Sequence, residues 1–181
     1  IIMDGNGRWA KKNNLKIKEG HARGVSTLKE IVKESVNQNI ESLTVYAFST
    51  ENWKRPKAEV KSINNLIINS INNELDELIE QKVKVRFFGD YSNFGKNTFD
   101  KIEFAQEKSF LNKPKLRLNV ALGYGGKIDI INIAKEISRL KIKASDINDN
   151  TINKLSQVPE SNIDLLIRTG GDTRISNFLL Y

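Results

Sequence analysis

The sequence has no cysteine and a single histidine, His21. Without thiols there are no disulfides and no thiolate metal centre, and a reducing, cytoplasmic setting is permitted. One imidazole also excludes any site that needs two. No apolar run approaches the ~20 residues of a membrane-spanning helix. Blocks of five or six like charges are absent, as are internal repeats and low-complexity linkers. No leader segment is visible; a start at Ile1 and a stop at Tyr181 inside an apolar run lead us to expect trimming at both ends.

What remains is a chain of 181 residues, 39% hydrophobic and 28% charged. That is the profile of a soluble protein, read most economically as one domain spanning 1–181 that hides about 70% of its unfolded surface. The net charge of +7 implies an anionic partner: nucleic acid, a lipid surface or a phosphorylated small molecule. Lysines are scattered through helical segments as on an ordinary solvated surface. Arg8, Arg55, Arg168 and Arg174 instead stand beside Gly, Ser, Thr or Asn, in loops where forked guanidinium groups meet phosphate. That placement argues against nucleic acid.

Apolar or β-branched runs recur at Ile1–Met3, Leu43–Phe48, Val83–Phe88, Leu116–Leu122 and Ile163–Ile167. Between them, helical spacing gives one face of Val25, Leu28, Ile31, Val32 and Val36, and a second of Ile63, Leu66, Ile67, Ile71, Leu75 and Leu78. Ile128, Ile131, Ala134 and Ile137 predict a third inward face. Phe99, Ile102 and Phe110 give a weaker helix, and a short one is expected near Ile152–Leu155. Alternating strands and helices predict an α/β fold: a mainly parallel central sheet with helices on both faces. Parallel strands place whatever follows them along one edge. Five loops should therefore meet there: DGNGR (Asp4–Arg8), FSTENWKRP (Phe48–Pro56), GD (Gly89, Asp90), GYGG (Gly123–Gly126) and RTGGDTRISN (Arg168–Asn177).

Each loop has a chemical reading and a plain one. Gly5, Asn6, Gly7 and Arg8 make either a phosphate cradle or a glycine turn leading into a helix. Asp4 beside phosphate reads as a Mg²⁺ ligand, since a bare carboxylate would repel the anion; otherwise it caps the turn. Asn52 and Arg55 could hold a diphosphate, or a water or hydroxyl near a reacting carbon. Alternatively, Ser49 or Thr50 caps and Trp53 merely packs. Arg168, Arg174 and Ser176 form a clamp for a second anion, or the arginines pair with Asp172. His21 is a proton shuttle, a phosphate ligand or an ordinary histidine. GYGGK does not fit the ATP-type phosphate loop. The Ile63–Leu78 helix carries extra apolar residues, either as plain core or as the wall of a hydrophobic tunnel, where a buried hydrocarbon gains about 0.8 kcal/mol per methylene.

Taken in order, MDGNGRWA, the Gly20–His21 pair, AFSTENWKRP, NVALGYGGKIDI and DLLIRTGGDTRISNFLLY resemble the cis-prenyltransferases, and undecaprenyl diphosphate synthases in particular. The all-helical prenyl synthases are disfavoured, since no DDxxD-like acidic pair occurs. The resemblance implies extension of farnesyl diphosphate by successive condensation with isopentenyl diphosphate, with Mg²⁺ required. It assigns Asp4 to the metal and diphosphate, and Gly5, Asn6, Gly7 and Arg8 to the allylic diphosphate. His21 and Arg55 assist there, Asn52 sits near the reacting carbons, and Arg168, Arg174 and Ser176 take isopentenyl diphosphate. Trp9, Trp53 and Glu59 match family positions in positional roles. It further implies a homodimer, and a cytoplasmic protein with peripheral contact at the inner face of a membrane. Two departures stand out: Ile17, between Lys16 and Lys18, replaces a family arginine, and the sequence stops before a family segment that carries a metal-associated glutamate. The rival readings are a non-catalytic partner subunit of the same fold and a basic nucleic-acid-binding protein.

Overall fold

The computed structural model describes residues 1–160 and 162–181. Its centre is a parallel sheet in the order β1-β3-β2, formed by β1 (Ser42–Ser49), β2 (Val83–Phe88) and β3 (Leu116–Tyr124). Six helices accompany it among the described residues: α1 (Asn6–Lys12), α2 (Ile17–Asn37), α3 (Lys57–Glu80), α4 (Lys96–Lys108), α5 (Gly126–Arg139) and α6 (Asp149–Leu155). The α/β expectation and the middle three strands hold.

The two outermost strands do not form as strands. Ile2 makes one parallel bridge to Tyr46 and another to Arg168. The terminal run is a poor strand because its side chains find no cover: Leu165 is 74% exposed and Ile163 52%. Ile2 still links the two neighbours, its N–H donating to the Ile167 carbonyl at 2.8 Å while the Tyr46 N–H donates to the Ile1 carbonyl at 2.9 Å.

Side-chain alternation divides the sheet into two faces. On one, Leu43, Val45, Val83, Leu116 and Leu118 pack with Val32 of α2 and Leu78 of α3, while Phe48 and Leu122 meet Ile71 and Leu75 of α3 and Ile102 of α4. On the other, Tyr46, Phe88, Ala121 and Tyr124 surround Phe178, whose ring stacks on Tyr46 at 4.4 Å. That second face is covered by Phe178, Val158 and Leu179 from irregular chain beside α5, so helix cover is less even than the sequence suggests.

Strand β2 lies at the sheet's edge, where free N–H groups invite unwanted pairing. Helix α4 satisfies them with side chains: the Val85 N–H donates to Ser109 Oγ at 3.0 Å and the Phe87 N–H to Gln106 Oε1 at 2.8 Å.

The third predicted face is turned outward. Ile128 and Ile131 are each 47% exposed, whereas Asp129 and Ile133 are buried. The cause is Asp129, whose carboxylate accepts from Ser156 Oγ at 2.8 Å and from the Gln157 N–H at 3.0 Å. A buried carboxylate with fixed donors holds the helix in one rotation about its axis, and the apolar stripe goes elsewhere. Likewise α4 buries Thr98, Ile102 and Ala105 while Phe99 and Phe110 stay exposed.

Candidate active site

The five loops do touch one another. Arg168 donates to Asp4 Oδ2 at 2.8 Å, and Arg8 donates to the Gly170 carbonyl at 2.8 Å, joining the first loop to the last. Asn177 donates to Glu51 Oε1 at 2.7 Å and its carbonyl accepts from the Gly126 N–H at 2.7 Å, which ties in the loops after β1 and β3. The Asp90 N–H reaches the Gly123 carbonyl at 3.2 Å. Glycine makes the closest approach possible: Gly5 and Gly170 both have positive φ, and a Cβ on Gly5 would stand 2.9 Å from the Gly170 Cα.

Three of them, Asp4–Arg8, the loop after β1 and Arg168–Asn177, form the mouth of a cavity of about 980 Å³ that continues between α2, α3 and the sheet. Asp4, Gly5, Asn6, Gly7, Arg8 and His21 line it, as do Asn52, Arg55, Arg168, Arg174 and Ser176. Trp9 does not: it lies on α1, 41% exposed and off the cavity wall. The Gly89–Asp90 and Gly123–Gly126 loops also stand behind the mouth, where they brace its other loops. Deeper in, the wall is apolar, with Val25, Leu28, Ile63, Leu66, Ile67 and Ile71 facing Leu118 and Val120 of β3.

At the mouth the charges are paired among themselves. Arg168, whose side chain is only 10% exposed, also donates to Ser176 Oγ at 2.6 Å and to the Arg174 carbonyl. Its Nε is buried without a partner among the described residues, a donor left over for an anion. Arg8 reaches Asp4 and Asp172, each at 3.3 Å, and Arg174 pairs with Asp172 at 3.0 Å. Asp172 thus holds Arg8 and Arg174, as the plain reading of this loop expects, and Arg168 and Ser176 stand in the same cluster. Although burial acts against ionisation, the bonds from Arg168 and the Gly5 N–H and the charge of Arg8 hold the Asp4 carboxyl below its usual range.

The loop after β1 likewise satisfies its plain reading. Asn52 Oδ1 accepts from the Ser49 N–H at 3.0 Å, and Trp53 packs against Phe48 and Phe94. The Asn52 amide nitrogen remains for a ligand. Arg55 pairs with Glu59 at 2.9 Å, and Glu59 lies 4.0 Å from His21 Nε2. Burial pushes the His21 imidazole below 6.5; Glu59 opposes this and Arg55 reinforces it. His21 Nδ1 is buried and unpartnered among the described residues. Sequence reasoning gave too little weight to Glu51 and Asp172, which organise the mouth. The signal was an acid inside each arginine-bearing loop.

Among the described residues, no three Asp, Glu or His side chains gather around a common point. A hard divalent cation that keeps several waters and shares substrate phosphates needs only one or two protein carboxylates. Asp4, with Asp172 close by, fits that requirement.

The family described as "Putative undecaprenyl diphosphate synthase" matches residues 2–181. An isoprenyl transferase of Oceanobacillus iheyensis is 47% identical over all of this chain and 73% of its own. A ditrans,polycis-undecaprenyl-diphosphate synthase ((2E,6E)-farnesyl-diphosphate specific) of Photorhabdus laumondii is 42% identical over all of this chain and 73% of its own. Among solved structures, lavandulyl diphosphate synthase from Lavandula x intermedia, in complex with dimethylallyl diphosphate, superposes with a TM-score of 0.93 at 30% identity, over 99% of this chain and 79% of that one. A "probable undecaprenyl diphosphate synthase" from Campylobacter jejuni gives 0.79 at 32% identity, over 99% and 77%.

Proposed function

We infer the activity from one premise: this chain belongs to the undecaprenyl diphosphate synthase family of prenyltransferases. It condenses isopentenyl diphosphate with farnesyl diphosphate in successive cis additions to give undecaprenyl diphosphate, the lipid-carrier precursor for cell-wall synthesis. One observation carries this reading: a mouth of arginine, amide and backbone N–H groups opens directly into an apolar cavity. That is the shape of a substrate with a charged head and a growing hydrocarbon tail.

In each cycle the allylic C–O bond breaks, a C–C bond forms to the terminal carbon of isopentenyl diphosphate, and a proton leaves to set the new double bond. Departing diphosphate accumulates negative charge, which Arg8, the Gly5–Gly7 backbone and Arg55 stabilise from fixed positions. Arg168, Arg174 and Ser176 hold the second diphosphate, bringing the two carbons together; proximity of this kind supplies up to about 7–11 kcal/mol. For a ligand to enter, the Asp172 pairs with Arg8 and Arg174 must open, so Asp172 is a stand-in for phosphate. Asn52 orients the acceptor of the departing proton, and His21 supports the allylic diphosphate. Trp9, placed off the cavity, acts through packing alone. Asp4 would hold Mg²⁺, which when bound neutralises diphosphate charge.

The reading extends to a homodimer, supported by the exposed Ile128 and Ile131 of α5 and the exposed Leu165. Light scattering of the purified protein tests it. Among the described residues no helix is long and apolar enough to cross a membrane; a cytoplasmic protein that touches the membrane peripherally, to deliver its lipid, agrees with that. An intact DGNGR loop speaks against the non-catalytic subunit, and loop-bound arginines against nucleic acid. The activity is tested by incorporation of labelled isopentenyl diphosphate into farnesyl-primed lipid, with and without Mg²⁺. Absence of any prenyl product from correctly folded protein overturns it.

A further inference from the structure

The apolar cavity ends in charge. Lys29 of α2 reaches across to α3, its Nζ standing 2.6 Å from Glu74 Oε2 and 2.7 Å from Glu77 Oε2. Gln81 extends the cluster by donating to Glu77 Oε1 at 3.1 Å. All four side chains line the same cavity as Asp4 and Arg168. Glu74 lies about 22 Å along α3 from Glu59 at the mouth, at 1.5 Å per residue. The cluster is therefore far from the diphosphate end.

Nothing in the helix packing requires ions there. Leu28 and Val32 flank Lys29 on α2, and Leu75 and Leu78 flank the acids on α3, so apolar side chains would continue both walls. The side chains of Lys29, Glu74 and Glu77 are 47%, 30% and 44% exposed, so solvent water reaches all three. A hydrocarbon pushed against them would strip that water, and dehydrated charges are costly even when paired. Lys29, donating to the two carboxylates, is also held charged beyond the usual lysine range, so neutralisation offers no easy escape.

Resting on the prenyltransferase reading above, we propose that the Lys29–Glu74–Glu77 cluster is the stop that ends elongation: a hydrated ionic closure between α2 and α3 that the growing tail cannot displace. Lys29 is thereby a specificity-determining residue for product length.

The test compares product lengths by mass spectrometry, with farnesyl diphosphate as primer and excess isopentenyl diphosphate. The variants are the neutral triple Lys29→Met/Glu74→Gln/Glu77→Gln and the swapped triple Lys29→Glu/Glu74→Lys/Glu77→Lys, with thermal melting to establish folding. The neutral triple should shift the distribution to longer products by at least one isoprene unit, and the swap should return it toward that of the wild type. A folded neutral triple whose products keep the wild-type length, or become shorter, overturns the proposal. A neutral triple and a swap that lengthen the product equally overturn it too, because charge pairing would then not be the cause. If the wild type itself makes no prenyl product, the parent reading fails instead.

Discussion

The mouth of the cavity and its apolar wall are built on opposite principles. Its mouth is made of loops, and its charged groups are held by one another: Arg168 by Asp4 and Ser176, Arg8 and Arg174 by Asp172. Its depth is made of helix and sheet, held by close-packed Ile71, Leu75 and Leu118. A mouth of exchangeable ion pairs can trade an internal carboxylate for a phosphate at little net cost. A packed wall has no such exchange open to it and serves only to be filled. Recognition of a head group and accommodation of a tail are thus separable by mutation.

The largest effect should come from Asp4→Ala, which removes the carboxylate shared by Arg8 and Arg168. Turnover should fall about 10²–10³-fold, as for loss of one group aimed at developing charge; steady-state incorporation of isopentenyl diphosphate measures this. Leu75→Ala attacks the wall instead. With Leu75 only 5% exposed, unfolding free energy should drop by about 2–5 kcal/mol in denaturant melts, with the diphosphate affinity of the folded protein kept.

A gentler probe is pH. The His21 pKa is depressed in the folded chain, so its stabilising contribution is complete above 6.5 and is lost as pH falls below that toward the folded value. Titration by NMR should place His21 below 6.5, and Glu59→Gln should lower it further by removing the acid that opposes the shift. A rise in Glu59→Gln would contradict the assigned cause. The smallest effect is expected of Trp9→Ala, whose side chain is exposed and off the cavity: stability should change within about 0.5 kcal/mol and turnover hardly at all.

Most of the fold was legible because the pattern is strong where burial is strong. Val83–Phe88 and the Ile63–Leu78 helix are buried along one face, and periodicity reports that directly. The reading failed where a polar group outweighed an apolar stripe. Asp129 fixes the rotation of α5 through Ser156 and Gln157, partners more than 25 residues away that no local pattern reveals. It failed again at Ile163–Ile167, apolar in composition yet without a covering layer. At the site, the glycine, arginine and amide residues that gather at the mouth could be chosen from sequence, since loops after parallel strands converge. The pairing of Asp172 with two arginines at once was offered only as the alternative to a clamp, and the structure shows that pairing among the very residues proposed for the clamp. Trp9 was named for its match to a family position, but its place on α1 puts it off the cavity wall.

The most direct measurement is a crystal structure with an unreactive farnesyl diphosphate analogue. The account predicts the diphosphate against the Asp4–Arg8 loop and the hydrocarbon running along Ile63, Ile67 and Ile71 toward Lys29. A diphosphate bound away from Asp4, or a tail lying outside the α2–α3 cavity, would contradict it.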